Sequence, residues 1–260
     1  MPAGPPHSPF SRPPPPRASR RYPLRATTVV GNVLLTAAML ALVWQLWPSI
    51  ARWWFEGLQF WLTRIDLPGL SLQRLPPRLP WDEAPLRIRL DTPLPTGTQW
   101  WGWVVVSAAA FGLSLRLSRE RLPLIYLLRL LVLMQVSALV YFWFWPARLP
   151  LTLAHFAEDV VQVAGTLLFV TPLLHGIILY VFPIPLWHKV LATGLSLGFV
   201  VVALPLHVSV LMLLVSWGSA MLLPLLYFLG TLLPYLMGLI GIYGDMLSLA
   251  PGEHSLRHEW

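Results

Sequence analysis

Long apolar runs separated by short polar connections dominate this chain. Six such runs cover residues 27–47, 99–115, 124–145, 156–181, 190–215 and 220–246. Most are close to the ~20 residues that an α-helix needs to cross a bilayer. A β-barrel would instead show ~10-residue segments of alternating polarity. The pattern predicts an all-α integral membrane protein with about six transmembrane helices.

The number of helices depends on residues 190–249, which are almost continuously apolar. Three spans of ~20 residues each would leave no room for connections, so two long helices fit better than three. Six spans place both chain termini on the same side of the membrane, whereas seven would separate them. We therefore expect six spans, with seven as the alternative.

The segment between the first two runs, residues 48–98, cannot lie wholly in hydrocarbon. Pro48 is expected to break or kink the chain, and residues 49–65 then carry polar side chains on one helical face. That periodicity predicts an amphipathic helix in the membrane interface. Residues 70–73 and 86–91 alternate with a period of two and predict a small two-stranded β patch. The aromatic side chains proposed to face a partner are Trp53, Trp54, Trp61 and Trp81.

Composition predicts how the rest of the chain is divided into tails and membrane segments. Residues 1–26 form a proline- and arginine-rich tail that predicts disorder, and residues 27–47 form an uncleaved first span. Residues 99–249 form a five-helix membrane domain, and residues 250–260 a polar C-terminal tail. The tail before the first span contains five arginines and no acidic residue, which predicts a cytoplasmic N-terminus. The C-terminus is expected to be cytoplasmic too, and the membrane a bacterial inner membrane.

Charge and cysteine content exclude several classes of function. Only 11% of residues are charged, against about 25% in soluble domains. The chain has no cysteine, which excludes disulfides, thiolate catalysis and cysteine-ligated zinc. The net charge of +7 is concentrated in the tail and does not indicate nucleic-acid binding. We predict no cofactor and no metal; the expected partners are the lipid bilayer and other membrane or envelope proteins.

The densest polar cluster near a span contains His155, Glu158 and Asp159. On a helix these three side chains share a face, so they are candidate catalytic residues, as a proton relay or half of a metal site. The plainer interpretation is a helix start at the interface, where acidic residues are favourable. We favour the plainer interpretation because a metal site needs three or four ligands.

Four ionisable side chains fall within predicted spans, and such groups are functional candidates by default. They are Arg129, His175, His207 and Asp245. Arg129 lies near a span end and can extend to the headgroups. Each histidine is expected to be neutral and bonded to a neighbouring helix, and Asp245 to pair with Arg129 or Arg116.

Glycine spacing gives a weaker indication of helix packing. Gly194 and Gly198 form one small-xxx-small pair, and Gly238, Gly241 and Gly244 recur every three residues. Such spacing favours close packing, within the chain or with a partner.

These observations favour a non-catalytic accessory or scaffold subunit of an envelope assembly that exports or sorts a polymer or a protein. One alternative is a membrane-embedded enzyme that acts on a lipid-linked substrate at the outer interface. A second alternative is a small-solute or proton-coupled transporter. The sequence alone does not choose among the three.

Overall fold

The computed structural model describes residues 26–65, 69–76, 84–89, 91–145, 152–179 and 185–248, with the side chains at 26–28, 119 and 247 left aside. Seven α-helices and two strands form this part of the chain. They are α1 (Ala26–Leu62), β1 (Ser71–Arg74), β2 (Leu86–Arg89), α2 (Gly97–Arg116), α3 (Leu122–Phe144), α4 (Leu153–Ile178), α5 (Leu186–Gly218), α6 (Leu223–Gly230) and α7 (Leu233–Ser248). The predicted disorder of the N-terminal tail and the polar C-terminal tail fall outside the described residues.

Five helical stretches are long and apolar enough to cross a membrane. They are Val29–Leu62, Leu122–Phe144, Leu153–Ile178, Leu186–Gly218 and Ala220–Met246. The result is consistent with an all-α membrane protein. Helix α2 has 20 residues, about 30 Å at 1.5 Å per residue, but its mean hydropathy falls short of the other five. The sixth span therefore stays a prediction.

The predicted break at Pro48 is wrong. Helix α1 continues through Pro48 to Leu62 as one helix of 37 residues, so residues 49–65 do not form a separate interfacial helix. Proline is tolerated inside a helix when neighbouring elements compensate for the lost hydrogen bond. Here the second half of α1 packs into the core, where Ala51, Trp54 and Leu58 are fully or almost fully buried.

The centre of the molecule is formed by α4 and α5, and α1 packs against both. Helix α4 is the most buried of the spans. Helix α7 covers α5 on another side, and α2 and α3 pair with each other. Helix α3 reaches the rest of the bundle through α6 and the short 3₁₀ turn Ala220–Leu222. The last apolar stretch is thus not one continuous helix, because α6 ends at Gly230 and α7 begins at Leu233.

The predicted β patch is present. Strands β1 and β2 pair antiparallel, with Ser71 opposite Arg89 and Gln73 opposite Arg87. Leu86 and Ile88 are almost completely buried and β2 packs against α4. We call the end of the bundle that carries these strands the hairpin end. It also contains the N-termini of α2 and α4 and the turn after α5.

Candidate functional site

The candidate catalytic carboxylates lie at the N-terminus of α4, next to the hairpin. Thr152 caps this helix by accepting a hydrogen bond from the backbone N–H of His155 at 3.2 Å. The polar side chains at positions 155, 158 and 159 belong to the first two turns of α4. They therefore lie at the hairpin end.

Each of the two carboxylates holds a structural element in place. Glu158 Oε1 accepts a hydrogen bond from the backbone N–H of Ile88 at 3.0 Å, which ties β2 to α4. Asp159 Oδ2 accepts a hydrogen bond from the Tyr227 hydroxyl at 2.7 Å, which ties α6 to α4. His155 is exposed, and its Nε2 lies 3.9 Å from Asp159 Oδ2. Structural contacts thus occupy one oxygen of each carboxylate.

Two further bonds connect the hairpin segment to the bundle. Thr92 Oγ1 accepts a hydrogen bond from the backbone N–H of Leu153 at 3.0 Å, the first residue of α4. The Pro93 carbonyl accepts one from the backbone N–H of Ala220, also at 3.0 Å. The segment between α1 and α2 is therefore fastened to α4 through Ile88 and Thr92 and to the turn after α5 through Pro93.

The other predicted polar residues do not converge on one site. Arg129 is exposed and its Nε donates to Ser114 Oγ at 3.4 Å, between α3 and α2. His207 packs edge-on against Tyr235 with ring centroids 5.0 Å apart, between α5 and α7. Asp245 is exposed, and within the described part of the chain it forms no ion pair with Arg116 or Arg129. That expected pairing of Asp245 is not found.

The histidines are also far apart. His175 is 20 residues beyond His155 on the same helix, so about 30 Å separates their backbones at 1.5 Å per residue. Across the described residues, no group of three or more His, Asp or Glu side chains is placed to hold a metal ion. The residues proposed for proton transfer thus occupy separate places in the described part of the chain.

The tryptophans proposed as a partner surface differ in their exposure. Trp53 is 43% and Trp61 41% exposed. Trp54 is fully buried, and its indole N–H donates to the Val201 carbonyl on α5 at 2.9 Å. Trp54 therefore belongs to the core and cannot face a partner. Trp81 lies outside the described residues.

A polar cluster that the sequence reasoning did not single out lies between α1, α4 and α5, away from the hairpin. Lys189, the only lysine in the chain, is 3% exposed, and its Nζ donates to Asn32 Oδ1 at 3.1 Å. The buried His175 ring adjoins them, with its Nδ1 3.0 Å from Thr193 Oγ1. Two signals in the sequence could have indicated the cluster: a single lysine inside an arginine-rich chain, and an asparagine within the first apolar run.

The hydrogen bonds of Thr193 determine the tautomer of His175. The Thr193 hydroxyl has one hydrogen, and it donates that hydrogen to the Lys189 carbonyl at 2.8 Å. The His175 Nδ1 must therefore carry the N–H that donates to Thr193. The Nε2 atom of a neutral His175 is then an acceptor.

The chain was compared with family models, with curated proteins and with solved structures, and none of these matches it.

Proposed function

We propose that the protein is a non-catalytic accessory or scaffold subunit of a bacterial envelope assembly for the export or sorting of a polymer or a protein. In this proposal the hairpin end is the surface that it presents to a partner. The observation that carries the proposal is the pair of hydrogen bonds that Glu158 and Asp159 accept. The two carboxylates best placed for surface chemistry instead bind β2 and α6.

The hairpin provides a small, firmly attached surface. Its inward side chains, Leu86 and Ile88, are buried. Its opposite face carries Ser71, Gln73 and Arg89, all exposed, together with the exposed Arg87. A basic and polar face of this kind suits a partner with an acidic patch.

The alternatives receive less support. An enzyme at this end would need free carboxylates, but both have structural partners. A transporter that uses Arg129, His175 and His207 would need these groups to line one path, but they lie between three different helix pairs. A scaffold role requires neither condition.

The proposed topology has six spans, including α2, with both termini in the cytoplasm and the hairpin end outside. It follows from the five arginines before α1 and the positive-inside rule. Because the chain has no cysteine, single cysteines test it directly. A membrane-impermeant maleimide should label a Gln73→Cys variant in intact cells, and labelling only after cell lysis would reverse the orientation.

The partner itself is tested by photo-crosslinking in the native host. A benzophenone on Gln73→Cys should capture a second membrane or envelope protein that also co-purifies in mild detergent. The matched control is Val105→Cys, which is exposed on the side of α2 and should not capture that protein. Recovery of this chain alone, with no crosslink from position 73, would reject the scaffold role.

A further inference from the structure

The ammonium of Lys189 is buried without a counter-charge in the part of the chain that the structure describes. No carboxylate there lies within 4.0 Å of Nζ, and Nζ donates to the neutral Asn32 amide. Neither residues 1–25, which precede α1, nor residues 180–184, which precede α5, contain Asp or Glu. A buried charge is costly unless an opposite charge or strong hydrogen bonds compensate it.

Asn32 adds a second unsatisfied donor at the same place. Lysine can only donate, so the Asn32 amide must turn its oxygen toward Nζ. That orientation leaves Nδ2, on a side chain only 5% exposed, with no acceptor among the described residues. The Lys189 ammonium has three hydrogens and gives one to Asn32. Apart from His175 Nε2, the groups of the cluster without a partner among the described residues are donors, two hydrogens of the Lys189 ammonium and Nδ2 of Asn32, and this excess of donors favours an anion.

Two neighbouring spaces lie beside the cluster; Lys189 lines the smaller one only, whereas Asn32 lines both. A cavity of about 10 Å³, room for about one water molecule, lies between Asn32, His175 and Lys189. Asn32, Thr36 and Gly176 line both this cavity and an open groove of about 640 Å³ between α1 and α4. The other groove residues are aliphatic: Val29, Val33, Ala37, Leu40, Leu173 and Ile177.

The apolar groove and the polar cluster beside it together match an amphipathic molecule such as a membrane lipid. The apolar walls of the groove are open to the surroundings, since Val33 is 62% and Ile177 70% exposed. Lys189 is the fourth residue of α5 and Asn32 the seventh of α1. At 1.5 Å per residue they lie about 5 Å and 9 Å from the helix starts, a depth close to the lipid headgroups if the helices span a bilayer.

From this geometry we infer that the phosphate of an anionic membrane lipid binds at the groove beside Asn32, with Lys189 acting on it across the water-sized cavity and an acyl chain of that lipid in the α1–α4 groove. The basic residues that precede α1 would raise the local concentration of anionic lipid at this end. The inference does not depend on the scaffold role.

Fluorescence quenching in nanodiscs tests the inference. A fluorophore on Val33→Cys in the groove is compared with one on Val105→Cys, on α2, using phosphatidylglycerol or phosphatidylcholine with brominated acyl chains. At equal mole fraction, phosphatidylglycerol should quench the groove label at least about twofold more than phosphatidylcholine, and the control label equally. Equal quenching of the groove label by both lipids would overturn the inference.

The role of Lys189 is tested in the same labelled background. Lys189→Gln should weaken phosphatidylglycerol binding about tenfold or more, the size expected for a charged hydrogen bond. Arg121→Gln, which removes an exposed charge, should leave binding unchanged. If Lys189→Gln does not fold, Ile177→Trp provides the second variant, since it fills the groove and leaves the cluster intact, and it should also reduce binding. Unchanged binding in either Lys189→Gln or Ile177→Trp would reject the site.

Two controls separate a lipid from other anions. Millimolar inorganic phosphate should not compete with the lipid, and competition would assign the cluster to a free anion instead. The double variant Glu253→Gln with Glu259→Gln removes the acidic groups of the C-terminal tail and should not change binding. A large increase in binding would show that a tail carboxylate is the resident partner of Lys189, which would overturn the lipid assignment.

Discussion

Trp54 replaces a hydrogen bond that Pro205 removes from α5. Proline has no backbone N–H, so the carbonyl four residues before Pro205, that of Val201, loses its helical donor. The Trp54 indole on α1 donates to this carbonyl at 2.9 Å. The two helices can approach closely because α1 has Gly57 beside the Pro205 ring, where an added Cβ would lie 3.0 Å from Pro205 Cβ.

Trp54→Phe should therefore destabilise the fold by leaving the Val201 carbonyl unpaired. An orphaned buried acceptor costs about 1–3 kcal/mol, and loss of the larger indole adds a packing term. The neighbouring Trp53→Phe is the matched control, because Trp53 is partly exposed and should change stability by less than about 0.5 kcal/mol. Unfolding by sodium dodecyl sulfate in mixed micelles, followed by far-ultraviolet circular dichroism, measures both variants.

A double-mutant cycle separates the hydrogen bond from the packing. In Pro205→Ala the new N–H can bond to the Val201 carbonyl, while the Cβ that faces Gly57 is kept. Trp54→Phe should then cost less than in the natural background, by about 0.6–1.7 kcal/mol, the range measured for hydrogen bonds between membrane helices. An equal cost in both backgrounds would refute the view that the indole compensates for the proline.

Two further variants test contacts of α4. Gly176→Ala places a Cβ against Thr36 Oγ1 on α1 and should destabilise the fold by about 1–3 kcal/mol in the same unfolding assay. The control is Gly194→Ala, where the new Cβ has no atom within 4 Å. It should leave stability unchanged or raise it by up to about 1 kcal/mol. A comparable loss of stability in both variants would contradict the argument. Glu158→Ala should make the backbone amide of Ile88 exchange its hydrogen faster. Glu158→Gln keeps an acceptor oxygen and should retain the protection of this amide. Equal exchange rates in the two variants would exclude the hydrogen bond between Ile88 and Glu158.

The sequence predicted features that depend on local periodicity. The paired strands match the expected segments within two residues, because Leu86 and Ile88 alternate with exposed arginines. The turn after α5 also falls between the two predicted runs 190–215 and 220–246, at Ser219, which adopts a positive φ of 65°. Both features follow from neighbouring residues alone, so a pattern along the chain was enough to find them.

Periodicity along the chain did not predict features that depend on contacts between residues distant in sequence. Pro48 was expected to end a helix, but packing of the following turns against the core keeps α1 continuous. Glycine spacing indicated Gly194 and Gly198, yet an added Cβ would meet nothing within 4 Å at either one. Among the predicted glycines Gly238 does lie against another helix, at the Phe199 ring of α5, but further close approaches occur at Gly57 and Gly176, which belong to no repeating motif. Which helix a glycine faces is decided by tertiary packing, which spacing does not report.

The tryptophans show why composition alone misjudged the partner surface. Trp54 bonds to the Val201 carbonyl, and Trp103 donates to the carbonyl of Gly218 at 2.9 Å, at the end of α5. A carbonyl in hydrocarbon must find a donor within the protein, and helix interiors with proline and helix ends both leave carbonyls without one. An indole supplies a donor on a large apolar ring, so it can satisfy such a carbonyl without introducing a charge.

The same reasoning explains where a partner should bind. His207 packs edge-on against the Tyr235 ring on α7, and its ring nitrogens have no hydrogen-bond partner among the described residues. Several side chains that first suggested function, Trp54, Glu158 and Asp159, instead hold helices and strands together. The groups that remain available are the exposed face of the hairpin at one end and the donors around Lys189 away from it. For this reason we propose the hairpin face for a partner protein, and the groove beside Asn32 and Lys189 for a lipid.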